Sequence, residues 1–142
     1  MNNTALLLDT NVLRKRSLRN RLTEKIRSGV LQVYVPTLVH AERIRQIADQ
    51  KGEDFAIDVI QQLVEDSRFE LLPLDVADAE AVADVWLQLK SQGASDNDWR
   101  QHRFDILLCA IARARGYALV TDDTGQHFEA VPTRMSTAQL QN

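Results

Sequence analysis

Acidic residues stand where carboxylate chemistry would need them. The chain opens on an unbroken apolar run, Ala5-Leu6-Leu7-Leu8, that stops at Asp9 and continues Thr10-Asn11. Near the other end, Tyr117-Ala118-Leu119-Val120-Thr121 leads straight into Asp122-Asp123. Apolar runs without alternation read as strands buried on both faces, as in parallel sheets covered by helices. In such sheets the working crevice lies beyond the carboxyl ends of the strands. Both strands therefore deliver acid to the same end. Asp105 comes from Phe104-Asp105-Ile106-Leu107-Leu108-Cys109-Ala110-Ile111-Ala112, a helix apolar almost all round. A carboxylate there is costly unless a cation or strong donors compensate it, with Arg100 and Arg103 as partners at hand. Glu42 flanks the apolar stripe Leu38, Ala41, Ile44 and Ala48 of its own helix.

Each acid has a plainer role open to it. Asp9 suits an Asx turn or a helix cap, Asp122 and Asp123 suit a turn, and Glu42 suits a solvated helix flank. Taken together, three or four carboxylates converging on one crevice would repel one another and raise their pKa values. A hard divalent cation resolves that conflict, and Mg²⁺ takes oxygen ligands of this kind. The histidines, His40, His102 and His127, are scattered and form no zinc-site spacing. Cys109, the single cysteine, lies in an apolar run and reads as a small core residue.

The elements that must position these residues alternate. Ala5 to Leu8 is the first strand. Asn11 to Ser28 reads as one basic helix with Leu18, Leu22 and Ile26 on a face, closed by Gly29. Leu31 to Val35 alternates as a second strand ending at Pro36. Thr37 is placed to cap a helix running to about Lys51, and Glu53 to Asp66 forms another. Phe69 to Leu74 is a short strand. Asp75 to Gln92 is a long helix, with Val76, Ala79, Val82, Ala83, Trp86 and Leu89 facing inward. After a polar loop from Gly93 to Asp98, a helix runs from about Trp99 to Arg115, stopped by Gly116. The strand Tyr117 to Thr121, a turn or short helix over Thr124 to Phe128, and a last strand near Ala130 to Pro132 complete the chain. Strands alternating with helices predict an α/β domain with a mostly parallel sheet.

At 142 residues the chain is expected to be one domain with a real core. Its 44% hydrophobic and 26% charged content is ordinary for a globular protein. No stretch approaches a membrane span, and no basic region precedes the first apolar run as in a signal peptide, so a cytoplasmic protein is expected. Net charge is −3, but it is unevenly placed. Residues 1–45 carry nine Lys/Arg against three acids, and residues 53–84 carry ten acids against Arg68 alone. Of the 17 basic residues 13 are arginine, the side chain that grips phosphate with two parallel hydrogen bonds. A basic rim for a nucleic acid is thus compatible with an acidic overall balance.

Three segments in order carry a family likeness: Leu6-Leu7-Leu8-Asp9-Thr10-Asn11-Val12-Leu13; Glu42 in the helix after the second strand; and Asp105 through Gly116 followed by Leu119-Val120-Thr121-Asp122-Asp123. Over essentially its whole length the chain resembles the PIN domain, and within it the VapC-type toxins of bacterial toxin–antitoxin pairs. The resemblance implies a single three-layer domain over 1–142, with a mostly parallel sheet flanked by helices. It implies carboxylates that hold Mg²⁺, or Mn²⁺ in its place, for endonucleolytic cleavage of RNA, leaving a 5′ phosphate and a 3′ hydroxyl. Asp9, Glu42 and Asp105 match the three core acids, and Asp123 the fourth, with Asp122 as the alternative. The turn Thr124-Gly125-Gln126-His127-Phe128 departs from the family's commonest form, which is one residue shorter and has an acid directly before the Phe.

Thr10, Asn11 and Thr121 are then candidates for orienting ligands or water. Arg14, Lys15, Arg16, Arg19, Arg100 and Arg103 are candidates for gripping an RNA backbone, with transfer RNA among the possible substrates. Trp99 reads as a packing residue or as a platform for an unpaired base. The resemblance further implies a homodimer and a VapB-like antitoxin partner that fills the groove, often with an arginine. Two other readings compete: a PIN-like module that holds RNA or protein without cutting, and a phosphatase or phosphoacceptor domain using Asp9. The second lacks the further carboxylate it would need beside Asp9.

Overall fold

The structure is a computed structural model and describes residues 4–123, 125 and 134–140. The order of elements is β1 (Thr4–Leu8), α1 (Thr10–Leu13), α2 (Arg16–Arg27), β2 (Leu31–Pro36), α3 (Thr37–Lys51), α4 (Glu53–Ser67), β3 (Glu70–Leu72), α5 (Val76–Ser91), α6 (Asp96–Arg115), β4 (Ala118–Val120), β5 (Arg134–Met135) and α7 (Thr137–Leu140). The strands form one sheet in the order β3-β2-β1-β4-β5, and every pairing is parallel. This is the α/β architecture that the unbroken apolar strands predict.

β1 is the central strand, and its side chains divide the core. Leu6 and Leu8 point to one face, where they meet Leu18 and Leu22 of α2, Val39 of α3 and Val64 of α4. Leu7 points to the other and meets Val85 and Leu89 of α5 and Ile106 and Ile111 of α6. All three leucines are fully buried. Burial of each side chain contributes roughly 1.5–3 kcal/mol, which is why this run contains no polar residue. Helices on both faces complete three layers.

Several local expectations change. The helix expected over Asn11–Ser28 is interrupted: α1 ends at Leu13, Lys15 takes extended backbone, and α2 starts at Arg16. The side chain of Lys15 is drawn across to Asp122, 2.6 Å away, which places it off the helix path. Pro36, and not Thr37, occupies the cap position of α3, so Thr37 is already helical. α6 begins at Asp96, three residues earlier than expected, because the N–H and hydroxyl of Ser95 both donate to the Asp98 carboxylate and start the helix there.

In α5 the inward face is Ala81, Val82, Val85, Trp86 and Leu89, while Val76 is 73% exposed and Ala79 and Ala83 are also exposed. The first inward position goes instead to Asp78, which is fully buried on Arg115 of α6. Gly116 ends α6 with φ +69°, a left-handed turn that lets the chain reverse into β4. The last described strand is Arg134–Met135, beside β4. The strand expected at Ala130–Pro132, His127, and all of the turn expected over Thr124–Phe128 except Gly125 lie outside the described residues.

Candidate active site

The register of the sheet builds the site. Leu8 of β1 stands opposite Val120 of β4, so the next residues, Asp9 and Thr121, emerge side by side at the carboxyl end of the sheet. The N–H of Asp9 still donates to the Val120 carbonyl at 3.2 Å, which carries the pairing one step beyond the strand. Asp9 then caps α1: its Oδ1 accepts from the Thr10 N–H at 2.6 Å. Its Oδ2 accepts from the Thr121 hydroxyl at 2.8 Å. The plain capping role and a place in the crevice are both realised by this one side chain.

Asp9 is only 5% exposed. Burial pushes its carboxyl above the usual range. The hydrogen bonds from Thr121 and Thr10 oppose that, and the negative charges of Asp105 and Asp123 add to it. Asp9, Thr10, Glu42, Gln46, Asp105 and Asp123 line a cleft of about 290 Å³, with Asn11 and Phe104 at its wall. The crevice therefore gathers the four acids from β1, α3, α6 and the segment after β4.

Asp123 and Asp122 are separated by their partners. The Asp123 N–H donates to the Thr121 hydroxyl at 3.1 Å, and its Oδ1 accepts from the Gly125 N–H at 2.8 Å. Asp122 turns the other way. It accepts from Lys15 Nζ at 2.6 Å and from the N–H and hydroxyl of Thr137 at 2.8 and 2.7 Å. Those donors, Lys15 first, hold its carboxyl down at about 2. Asp122 is a tether between α7 and the start of α2, and Asp123 faces the cleft.

Glu42 enters the cleft already engaged. Arg45 grips both its oxygens, at 2.7 and 3.1 Å, and Gln46 Nε2 lies 3.4 Å from Oε1. Arg45 lowers the pKa of Glu42. Arg45 also donates to Asp49 at 3.0 Å. The spacing of Glu42, Arg45, Gln46 and Asp49 is the i,i+3 and i,i+4 pattern of helix-surface pairs, a signal in the sequence beyond the expected acids. Gln46, which lines the cleft, lies outside the expected residues too.

Other expected contributors lie elsewhere. Trp99 packs edge-on against Trp86, with ring centroids 5.5 Å apart and planes at 68°, in the core between α5 and α6. Packing is its role, and it does not line the cleft. Arg100 and Arg103 are exposed on α6. Cys109 is buried, and burial pushes its thiol up, as suits an inert core residue.

The donor types in the cleft fit a hard cation. All are oxygens, and Asp9 is a buried carboxylate raised partly by two others. Thr10 Oγ1 is buried beside Asp9 and has no hydrogen-bond partner among the described residues. As they are set, no three His, Cys, Asp or Glu side chains among the described residues stand together as a ready metal cluster. No helix among the described residues is long and apolar enough to cross a membrane.

Comparison with known proteins adds the family. No curated protein matches the chain. Among solved structures, it is similar to DNA-bound VapBC from Salmonella typhimurium, with 18% identity, 94% of this chain and 98% of that chain covered, and a TM-score of 0.71. It is similar to FitAcB from Neisseria gonorrhoeae, with 24% identity, coverage of 94% and 98%, and a TM-score of 0.67. VapBC-5 from Mycobacterium tuberculosis, of the VapBC family of toxin–antitoxin systems, matches with 20% identity, coverage of 93% and 98%, and a TM-score of 0.61. At these identities the likeness is one of fold. The PIN domain family model matches residues 6–133, nearly the whole of the chain that builds the sheet and the cleft, and the chain therefore belongs to the PIN domain family.

Proposed function

We propose that the protein is a metal-dependent endoribonuclease, the toxin of a VapBC-type toxin–antitoxin pair. The observation that carries this reading is the gathering of Asp9, Glu42, Asp105 and Asp123 around one cleft at the carboxyl end of the sheet in a PIN domain. Several solved structures of like fold are VapBC proteins, which supports a VapB-like antitoxin as partner. A homodimer and a transfer-RNA substrate belong to the same proposal.

In this reading Asp9, Asp105 and Asp123, with Glu42 once it leaves Arg45, would hold Mg²⁺ or Mn²⁺ through oxygen ligands. When bound, such an ion supplies the positive charge that activates water and stabilises the leaving oxygen of a phosphodiester. The chain's own residues set the stage. The Thr10 N–H and the Thr121 hydroxyl fix the two oxygens of Asp9, so its charge has one orientation. The same hydroxyl accepts from the Asp123 N–H and anchors that backbone at the cleft edge. Thr10 Oγ1, which has no hydrogen-bond partner among the described residues, and the exposed Asn11 would orient water or a substrate oxygen.

The test uses purified wild-type protein and its Asp9→Asn variant with bulk cellular RNA in Mg²⁺, Mn²⁺ and EDTA. Discrete cleavage that needs both the metal and Asp9 is the expected result, and mapping the ends of the products names the substrate. A folded, antitoxin-free wild-type protein that cuts nothing in either metal would overturn the reading in favour of a non-catalytic PIN-like binding module.

A further inference from the structure

Four arginines from neighbouring turns of the chain come together on the α1–α2–α3 side of the molecule, and one of them, Arg43, reaches the wall of the acidic cleft. Arg14 closes α1, Arg16 and Arg19 lie in the first turns of α2, and Arg43 follows Glu42 in α3. α1 packs on α3, which brings these segments together. Arg19 Nη1 donates to the Leu13 carbonyl at 2.6 Å, so its side chain lies back over the end of α1. Arg43 Nη1 donates to Gln46 Oε1 at 3.1 Å, and Gln46 is part of the cleft wall. Arg43 is thus linked to Glu42 through Gln46 by two successive hydrogen bonds. The group is close enough for mutual repulsion. Burial first, then Arg43 and Arg16, lowers the pKa of Arg19; burial, then Arg14, lowers that of Arg43.

Among the described residues none of these four is ion-paired, although Lys15, Arg45 and Arg115 all are. Asp66 shares a groove with Arg16 and Arg19 and still does not pair with them. Arg19 and Arg43 are partly buried and Arg14 and Arg16 exposed; holding such like charges together without counter-ions costs free energy that an anion would recover. A guanidinium fork suits phosphate, and a row of forks suits a chain with one phosphate per residue. Among the described residues the exposed large apolar side chains, Val30, Phe55, Ile57, Leu71, Leu74, Val76 and Leu87, all lie outside α1, α2 and α3. A protein-docking surface would centre on such anchors. Among the described residues the corner offers charge without such an apolar centre, and Trp99 packs on Trp86 away from it.

We infer that Arg14, Arg16, Arg19 and Arg43 form a track for the phosphate backbone of a single RNA strand, which leads the strand into the cleft past Arg43. This inference rests on the ribonuclease reading of the cleft. It makes recognition on this side a matter of backbone charge, with base identity read elsewhere.

The test is fluorescence anisotropy with a short fluorescein-labelled oligouridylate in EDTA, across a salt series, on full-length protein. For single strands the slope of log affinity against log salt changes by about 0.7 for each phosphate contact. Arg43→Gln should weaken binding and flatten the slope by about that much, and the Arg14→Gln/Arg43→Gln pair by about twice as much. Arg43→Lys should keep the slope, and Arg27→Gln, at the far end of α2, should behave as wild type. Thermal melts establish that each variant is folded. Unchanged slopes in both glutamine variants overturn the track. So does loss of binding to a labelled poly-glutamate peptide with oligouridylate binding intact, which would make the corner a protein-docking surface. Wild type that cuts RNA while the slopes stay fixed sinks the track alone; wild type that neither cuts nor binds RNA sinks the nuclease reading with it.

Discussion

The Thr121 hydroxyl donates to Asp9 Oδ2 across 2.8 Å and so ties the residue after β4 to the residue after β1. The same oxygen accepts from the Asp123 N–H at 3.1 Å. One buried hydroxyl thus positions two of the proposed acids. Thr121→Val keeps the shape and removes both bonds. We expect roughly 10–100-fold slower cleavage, the usual effect of losing a group that orients a ligand, with a stability loss of about 1–2 kcal/mol. Thr121→Ser should restore most of both. Initial cleavage rates beside thermal melts decide it; equal rates for wild type and the valine variant would remove Thr121 from the site.

Asp9 makes a prediction about stability and pH. Its carboxyl is raised, chiefly by burial, so the folded chain binds that proton more tightly than the unfolded chain does. The stabilising contribution is therefore complete below the ordinary carboxylate range and is lost as pH rises through the raised value. At neutral pH the ionised group is a net cost. Asp9→Asn should melt higher than wild type at neutral pH, and the difference should narrow as pH falls toward the carboxylate range. Mn²⁺ should raise the melting temperature of wild type and leave that of Asp9→Asn nearly unmoved, since an ion that binds only the folded state stabilises it. A variant that melts lower at neutral pH and still responds to Mn²⁺ would contradict both statements.

The neighbouring aspartates should separate in function. Asp122 is held at about 2, below its ordinary value of 3.8, by Lys15 and Thr137. A depressed carboxylate stabilises the fold above its unfolded value and loses that contribution as pH falls toward the folded one. Because Lys15 and Asp122 are 44% and 40% exposed, solvent and salt screen the pair, and Asp122→Asn should cost under about 1 kcal/mol. It should keep cleavage. Asp123→Asn should keep stability and lose cleavage by orders of magnitude. The reverse pattern in paired melts and rates would assign the fourth acid to Asp122.

Away from the cleft, the fold depends on a buried ion pair. Asp78 is fully buried, accepts from Arg115 Nη2 at 2.9 Å and Nε at 3.1 Å, and forms the start of α5 with Asp75. Asp78→Ala removes the buried carboxylate from Arg115, which among the described residues keeps only Asp75 at 3.1 Å and the Pro73 carbonyl at 3.2 Å near the surface, and it removes half of the helix cap. We expect a loss of roughly 3 kcal/mol in urea denaturation. A loss under about 1 kcal/mol would mean that water replaces the pair at little cost.

The two ends of the site differed in how far the sequence alone could reach them. Asp9 and the pair after Thr121 were legible because an unbroken apolar run has one stable setting, a strand covered on both faces, and the residue that ends it must leave the core at the strand's carboxyl end. The parallel sheet and the chain order of its elements follow from the same alternation. Asp105 was legible as an anomaly, a charge in an apolar helix. These signals are local, carried by residue type and period within a few turns.

Other features depended on which surfaces meet. Asp122 and Asp123 are equivalent in the sequence; they part because Lys15 and Thr137 reach one and the Thr121 hydroxyl and the Gly125 N–H reach the other. The inward face of α5 was misread because that helix is apolar on several sides, and the buried Asp78–Arg115 pair selects among them. Arg43 carries no signal of its own in the sequence; the packing of α1 on α3 sets it among three more arginines. Fold class, chain order and the acids able to share a crevice rest on hydrophobic period and strand ends, which are properties of local residue pattern. Which acid turns inward, and which charges go unpaired among the described residues, rests on hydrogen bonds and like-charge repulsion between segments far apart in the chain, and those distances exist only in the folded molecule.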